Sequence, residues 1–431
     1  MKFSCLRMRF QIKKLTLKTK KKKFTKVTKT KSLKSQINPY EDSYTFAEMN
    51  SAQRITNLDF IRGIALMGIL VMNVVSFGLP DSAYMNHLSY GVENLLDWIV
   101  VVISTVFFDS KMMGLFSALF GAGMVIFYER AKDKTSKPLI LSLWRNTLLL
   151  LFGIAHFFLW EGDILTAYAI CSIFIILTRI VRIENTKVLS AITTFIFSGL
   201  LYLTQSVNGL YDENGFLIRE GFWIELFSKG GSKSFGKLWF PETEGTGNII
   251  ALWVLADGFI RALALIIFGM LLYRLNIFQG TKNILFYKKF FYYGFGIGIP
   301  FAAYGSYLLI SGNYAASTFL PSRFFNTISI IPMVCGYIGL LTILNSKNNL
   351  FAQKIRACGK MAFTNYISQT LLSLFVLNLV FTKGQFTRSE LIFYVITIVF
   401  LQYFWSKRIL DVFKFGPLEW FWRKLTYIFI R

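Results

Sequence analysis

Histidine is almost missing from this chain: 431 residues hold two, His87 and His156. Cysteine is sparse as well, and Cys5, Cys171, Cys335 and Cys358 show neither metal-ligand nor disulfide-framework spacing. They are expected to be reduced and simply packed, and no metal site is expected. Acids are scarce beside bases, 23 against 47. No phosphate-binding P-loop, dinucleotide fingerprint or serine-nucleophile signature occurs. These absences remove the common nucleotide-, metal- and triad-based chemistries. They leave few ionisable groups on which any chemistry can rest.

What is abundant is apolar: 54% of residues are hydrophobic and 17% aromatic. A water-soluble chain of this composition would expose large sticky patches. Apolar stretches near 20 residues recur along it, the length that crosses a bilayer. The fold expected is an all-α polytopic transmembrane helix bundle of about 10–11 spans, with the lipid bilayer as its main partner. The spans fall near 58–79, 95–108, 112–128, 139–160, 163–181, 188–206, 249–273, 290–311, 324–344, 361–382 and 391–406. The expected division is a tail at 1–48, a membrane domain at 49–206, an external loop at 207–248 and a second membrane domain at 249–431.

The tail carries 14 Lys/Arg against Glu41, Asp42 and Glu48. It reads either as an arm for anionic lipids or as an inert disordered segment ahead of a start at Met49. No nucleic-acid partner is expected, and no apolar signal-peptide core follows the tail before Leu58. The 207–248 loop, rich in glycine, aromatics and acids, suits a cover over the bundle or a plain connector. Residues 407–431 end in an aromatic and basic segment suited to the membrane interface.

Basic loops at 129–138, 179–187, 274–289, 345–360 and 407–431 alternate with less basic turns, which puts the C-terminus on the cytoplasmic side. The basic tail asks for the same side. Three full spans between 58 and 128 cannot satisfy both, so re-entry of 95–108 or 112–128 is expected, or else an outside N-terminus. Re-entry would bring Lys111 to a cavity.

The central stretch is 148–169, LLLLFGIAHFFLWEGDILTAYA. It reads as a helical hairpin with His156 buried near the turn and Glu161 and Asp163 at the turn. An ionisable group at that depth normally faces the interior and has a partner. His156 can act as a base oriented by Asp163 or Glu161, provided that the turn folds back. The alternative is a polar clasp between helices. Arg62 and Lys111 can hold an anionic group such as a coenzyme A phosphate or a lipid head group. Asp59 can pair with Arg62, Asp257 with Arg261, and Glu419 with Arg423 at helical spacing. Asn365 can line a cavity or bond between helices. Gly294, Gly296 and Gly298 read as close helix packing.

LDFIRGIALMGILVMN (58–73), FSALFGAG (116–123), GIAHFFLWEGDILTAYA (153–169), CGKMAFTNYISQTL (358–371) and GPLEWFWRKLT (416–426) together resemble the domain-of-unknown-function 418 family. The likeness is to its YeiB-like type of bacterial inner-membrane protein and runs from about residue 54 to 427. That resemblance implies a multi-pass location in the bacterial inner membrane and no established activity. More distantly it is similar to the transmembrane acyltransferase superfamily, which implies acyl-CoA as a co-substrate with no bound cofactor. Acyltransferase-3 proteins typically carry Arg and His eleven positions apart on the first helix. Here Arg62 matches, and Asn73 stands where the His would be. Asparagine orients but is no base, so another group has to serve, and His156 is preferred to His87. Acyl transfer onto an envelope lipid or sugar, transport of a small molecule or lipid, and a non-catalytic scaffold or sensor remain open.

Overall fold

A computed structural model describes residues 55–80, 82–206, 246–314 and 316–428. The tail at 1–48 and the body of the 207–248 loop, for which an arm and a cover were expected, lie outside the described residues.

From Thr56 onward the described residues form one compact all-α unit. Its helices are α1 (Thr56–Gly78), α2 (Ser82–Met85), α3 (Leu95–Ile103), α4 (Lys111–Lys132), α5 (Pro138–Phe157), α6 (Leu165–Leu177) and α7 (Thr186–Ser206). After the 207–245 segment come α8 (Thr246–Arg274), α9 (Ile284–Ser311), α10 (Ala316–Asn345), α11 (Leu350–Lys360), α12 (Ala362–Leu374), α13 (Arg388–Val412) and α14 (Pro417–Thr426). Local signals set the ends. Pro80 follows α1, and Pro138 opens α5, where a missing N–H costs nothing. Asn94 with Asp97, and Thr387 with Glu390, form reciprocal caps on α3 and α13.

Among the described residues, nine segments are long and apolar enough to cross a membrane, and α6 is a shorter apolar helix. The multi-pass helical membrane fold follows from these. Contacts sort the helix ends into two faces. At the basal end Asn57 donates to Phe278 O at 3.0 Å and to Thr342 at 2.9 Å, Lys132 faces Glu184, Arg274 meets Glu129, and Trp144 donates to Leu425 O. At the distal end Gly384 N donates to Gly78 O, Ser389 N to Asp97, and Trp160 to Ser76.

This sorting resolves the 58–128 conflict. Asp97 is distal and Lys132 basal, so 95–132 makes one net crossing in two pieces. α3 ends in a π-helical turn, Ser104–Phe108, and Ser110 adopts a left-handed conformation (φ 60°) before α4 begins. Beyond that break Met112 packs against Gly68 halfway along α1. With α6 counted, the crossings among the described residues number ten, and Thr56 and Thr426 share the basal end. The stretch 345–360 is not merely a loop: α11 lies at that end and packs on α1.

The tightest helix pair is α9 with α10. Gly294 sits on the backbone of Gly336, and a Cβ on Gly298 would meet Met333 Cγ at 2.6 Å. Small residues let the two backbones approach, the usual route to association in lipid. Gly296 faces open space and takes no part.

Candidate functional site

The hairpin at 156–166 folds as the base reading requires. α5 carries His156 to its last turn, and the Trp160-Glu161-Gly162-Asp163 turn brings Asp163 back beneath it. His156 Nδ1 lies 2.7 Å from Asp163 Oδ1, and Nε2 lies 2.9 Å from Thr370 Oγ1 on α12. Asp163 also accepts from Leu165 N (3.1 Å), Thr166 N (2.8 Å) and Thr166 Oγ1 (2.9 Å), which starts α6. Gly153 lets α5 lie directly on Thr166. Trp160 packs edge-on to the imidazole and is itself held by Ser76 of α1 at 3.0 Å.

Four donors converge on Asp163, the expected environment of an ionised, acceptor-only carboxylate. His156 then donates through Nδ1–H, and its Nε2 lone pair receives the Thr370 hydroxyl proton. The result is a chain from hydroxyl to imidazole to carboxylate, with the His and Asp side chains 2% and 0% exposed. Tyr366 packs against the ring at 5.1 Å, and its buried hydroxyl has no hydrogen-bond partner. This arrangement can draw a proton from a hydroxyl placed at Nε2. It equally clasps α5, α6 and α12 together. Glu161 is not at His156.

The other sequence candidates scatter. Arg62 bonds Asp59 at 3.3 Å at the basal end. Asn73 is half-buried, three helical turns further along the same face of α1 and one turn before Ser76. Asn365 is fully buried and bonds Cys358 O, Ser406 and Trp405, so it ties α11, α12 and α13 together rather than lining a cavity. Glu419 and Arg423 do not pair. Glu419 accepts from Phe363 N (2.7 Å) and Thr364 N (3.0 Å), capping α12, and Arg423 stacks on Phe415 and Tyr427. Two backbone donors at an N-terminus outbid one exposed cation.

Lys111 is fully enclosed, away from Arg62. Its Nζ donates to Thr105 O at 2.9 Å and to the Asn326 side chain. Asp257 and Arg261 pair, with Arg261 Nη2 2.8 Å from both carboxylate oxygens. Arg323 lies 4.0 Å from Asp109 and 3.8 Å from Asp257. Arg323 and Asn326 were missed from sequence; a polar pair just inside an apolar, proline-flanked run was the available signal.

His87 is buried in the distal loop, its Nδ1 2.8 Å from Tyr314 Oη. Burial, then the nearby Arg388 charge, hold its pKa well below the ordinary 6.5. Burial raises Tyr314 and, with Asp109, Tyr84 above the usual phenol value.

Residues 272–429 match the family model described as "Protein of unknown function (DUF418)". The chain is 28% identical over 396 residues to "Uncharacterized protein YeiB" of Escherichia coli (strain K12), covering 87% of this chain and 96% of that protein. It is 28% identical over 415 residues to "Uncharacterized protein YxaH" of Bacillus subtilis (strain 168), covering 87% and 95%. An "Uncharacterized 39.9 kDa protein in amylase 3'region" of Bacillus acidopullulyticus is 26% identical over 376 residues. Residues 272–429 are therefore similar to the DUF418 family, and the chain as a whole is similar to YeiB and YxaH along 87% of its length.

Proposed function

We propose that this protein is a membrane acyltransferase that moves an acyl group from acyl-CoA to a hydroxyl of an envelope lipid or sugar. One observation carries the reading: the Thr370–His156–Asp163 hydrogen-bond chain, buried beside the unpaired Tyr366 hydroxyl. An acceptor hydroxyl entering there takes the place of the Thr370 hydroxyl on Nε2. Its proton passes to His156 while its oxygen attacks the thioester carbonyl. The C–S bond breaks, and the departing thiolate recovers the proton from the imidazolium, which Asp163 stabilises throughout.

The donor is assigned to the basal end. The basic stretches gather there, which makes it the cytoplasmic side of a bacterial inner membrane by the positive-inside tendency. Arg62 stands there as the phosphate-holding cation. Asn73 and Ser76 continue its face of α1 toward the hairpin.

Purified protein tests this directly. Acyl-CoA is expected to raise the unfolding midpoint saturably, and Arg62→Ala to abolish the rise. Transfer should fall by about 10²–10⁴-fold in His156→Gln, the usual contribution of a general base. Absence of any shift in folded protein at high acyl-CoA would sink the reading. Transport is the second reading, favoured by the buried charges around Arg323 and Asp257, and it predicts flux with no covalent product.

A further inference from the structure

Among the described residues the charges around Arg323 do not balance. Asp109 and Asp257 face Lys111, Arg261 and Arg323, two negative groups against three positive ones. Arg261 spends Nε and Nη2 on Asp257. Lys111, with none of its side chain exposed, donates only to neutral oxygens, Thr105 O and Asn326 Oδ1. Arg323 stands between both carboxylates, and at 3.8–4.0 Å it hydrogen-bonds neither. Its side chain is 24% exposed, and that of Asp109 20%, so the cluster opens on this flank. An unmatched cation in a low-dielectric interior is costly. The planar fork of N–H donors on the partly exposed Arg323, beside two further cations, fits the geometry of a phosphate or carboxylate group.

We infer that Lys111, Arg261 and Arg323, set between α4, α8 and α10, form a binding site for a single oxyanion, either a free phosphate or the phosphate of an anionic lipid head group. The site shares no residue with the His156 hairpin and does not rest on the acyl-transfer reading. Arg323 is the direct ligand, and the guanidinium leaves its long contacts to the two carboxylates to grip the anion. Lys111 lies behind it, its Nζ held by Thr105 O and Asn326 Oδ1. Asp109 competes with the anion for Arg323.

The test uses full-length protein in a neutral detergent at constant ionic strength. Unfolding midpoints are titrated with inorganic phosphate and, separately, with dioctanoyl-phosphatidylglycerol, with chloride and dioctanoylglycerol as controls. Saturable stabilisation by phosphate identifies the free anion; stabilisation by the lipid alone identifies the head group. Arg323→Gln should weaken the half-saturating concentration about tenfold or more, and Asp109→Asn should tighten it about tenfold, because a competing carboxylate is gone. A structural network would lower the baseline midpoint in both variants without moving the titrations in opposite directions. Should Arg323→Gln not fold, Arg323→Lys keeps the charge, loses the fork, and is expected to weaken binding by an intermediate factor. No saturable stabilisation by either probe, or a same-direction response of the two variants, overturns the inference.

Discussion

Thr370 costs little to test and says much. Thr370→Val keeps the shape and removes the hydroxyl, leaving the Nε2 lone pair of His156 buried and unpaired. The loss should be about 1–3 kcal/mol in an unfolding titration. Asp163→Asn should cost more, about 2–4 kcal/mol, since it removes a charge that four donors share. His87 responds to pH instead. Its folded pKa is depressed while its unfolded value stays near 6.5. Its neutral, Tyr314-bonded form contributes fully above about pH 6.5. As pH falls below that, the unfolded state takes up a proton that the folded state refuses, and stability drops by up to about 1.4 kcal/mol per pH unit. His87→Gln should flatten that slope between pH 4.5 and 6.5, and an unchanged slope would assign it to other groups.

The α9/α10 pair contains its own control. Gly298→Leu drives a side chain into Met333 and should destabilise by about 1–3 kcal/mol or more. Gly296→Leu, on the open face of the same helix, should cost little. At the α3/α4 break, Ser110→Gly should be neutral or stabilising, and Ser110→Val should cost about 1–2 kcal/mol because a β-branched residue resists φ 60°. These elements show where sequence reading works. Apolar runs mark the helices plainly because each must bury or face lipid along its whole length. The fold-back of Asp163 is readable too, since a short turn leaves a carboxylate near the helix end that it follows. The joint at Asp109-Ser110 is not: two polar residues after an apolar run signal a stop, but tertiary contacts decide whether the chain reverses or carries on. Spacing misleads at Glu419 and Arg423, where i, i+4 offers a pair and the α12 N-terminus offers a better partner. Arg323 escaped because its partners, Asp109 and Asp257, lie far away in sequence.

At the scale of the molecule, ten crossings bring Thr56 and Thr426 to one end. Reporter fusions after residue 134 and after residue 412 should therefore report the same compartment, and one inserted at Gly384 the opposite one. A match between all three would break the topology. The helices before and after 207–245 are mutually packed, α8 against both α4 and α7, so the two membrane segments stand or fall as one unit. Splitting the chain within 207–245 should give fragments that reassociate when coexpressed and fail to accumulate singly.

The distal connections also set the labour of synthesis. With the basal end facing the ribosome, the polypeptide that has to be exported is short at almost every pass. Residues 158–164 link α5 to α6, 312–315 link α9 to α10, and 381–387 precede α13. Each is carried over between two apolar helices, so the hydrophobic gain of the helices can draw the few polar residues through. On that orientation the segment 207–245, with its acids, lysines and glycines, is expected to be the long hydrophilic export. Biogenesis has one demanding passage, and a block in the translocation machinery should strand the chain there, after seven helices.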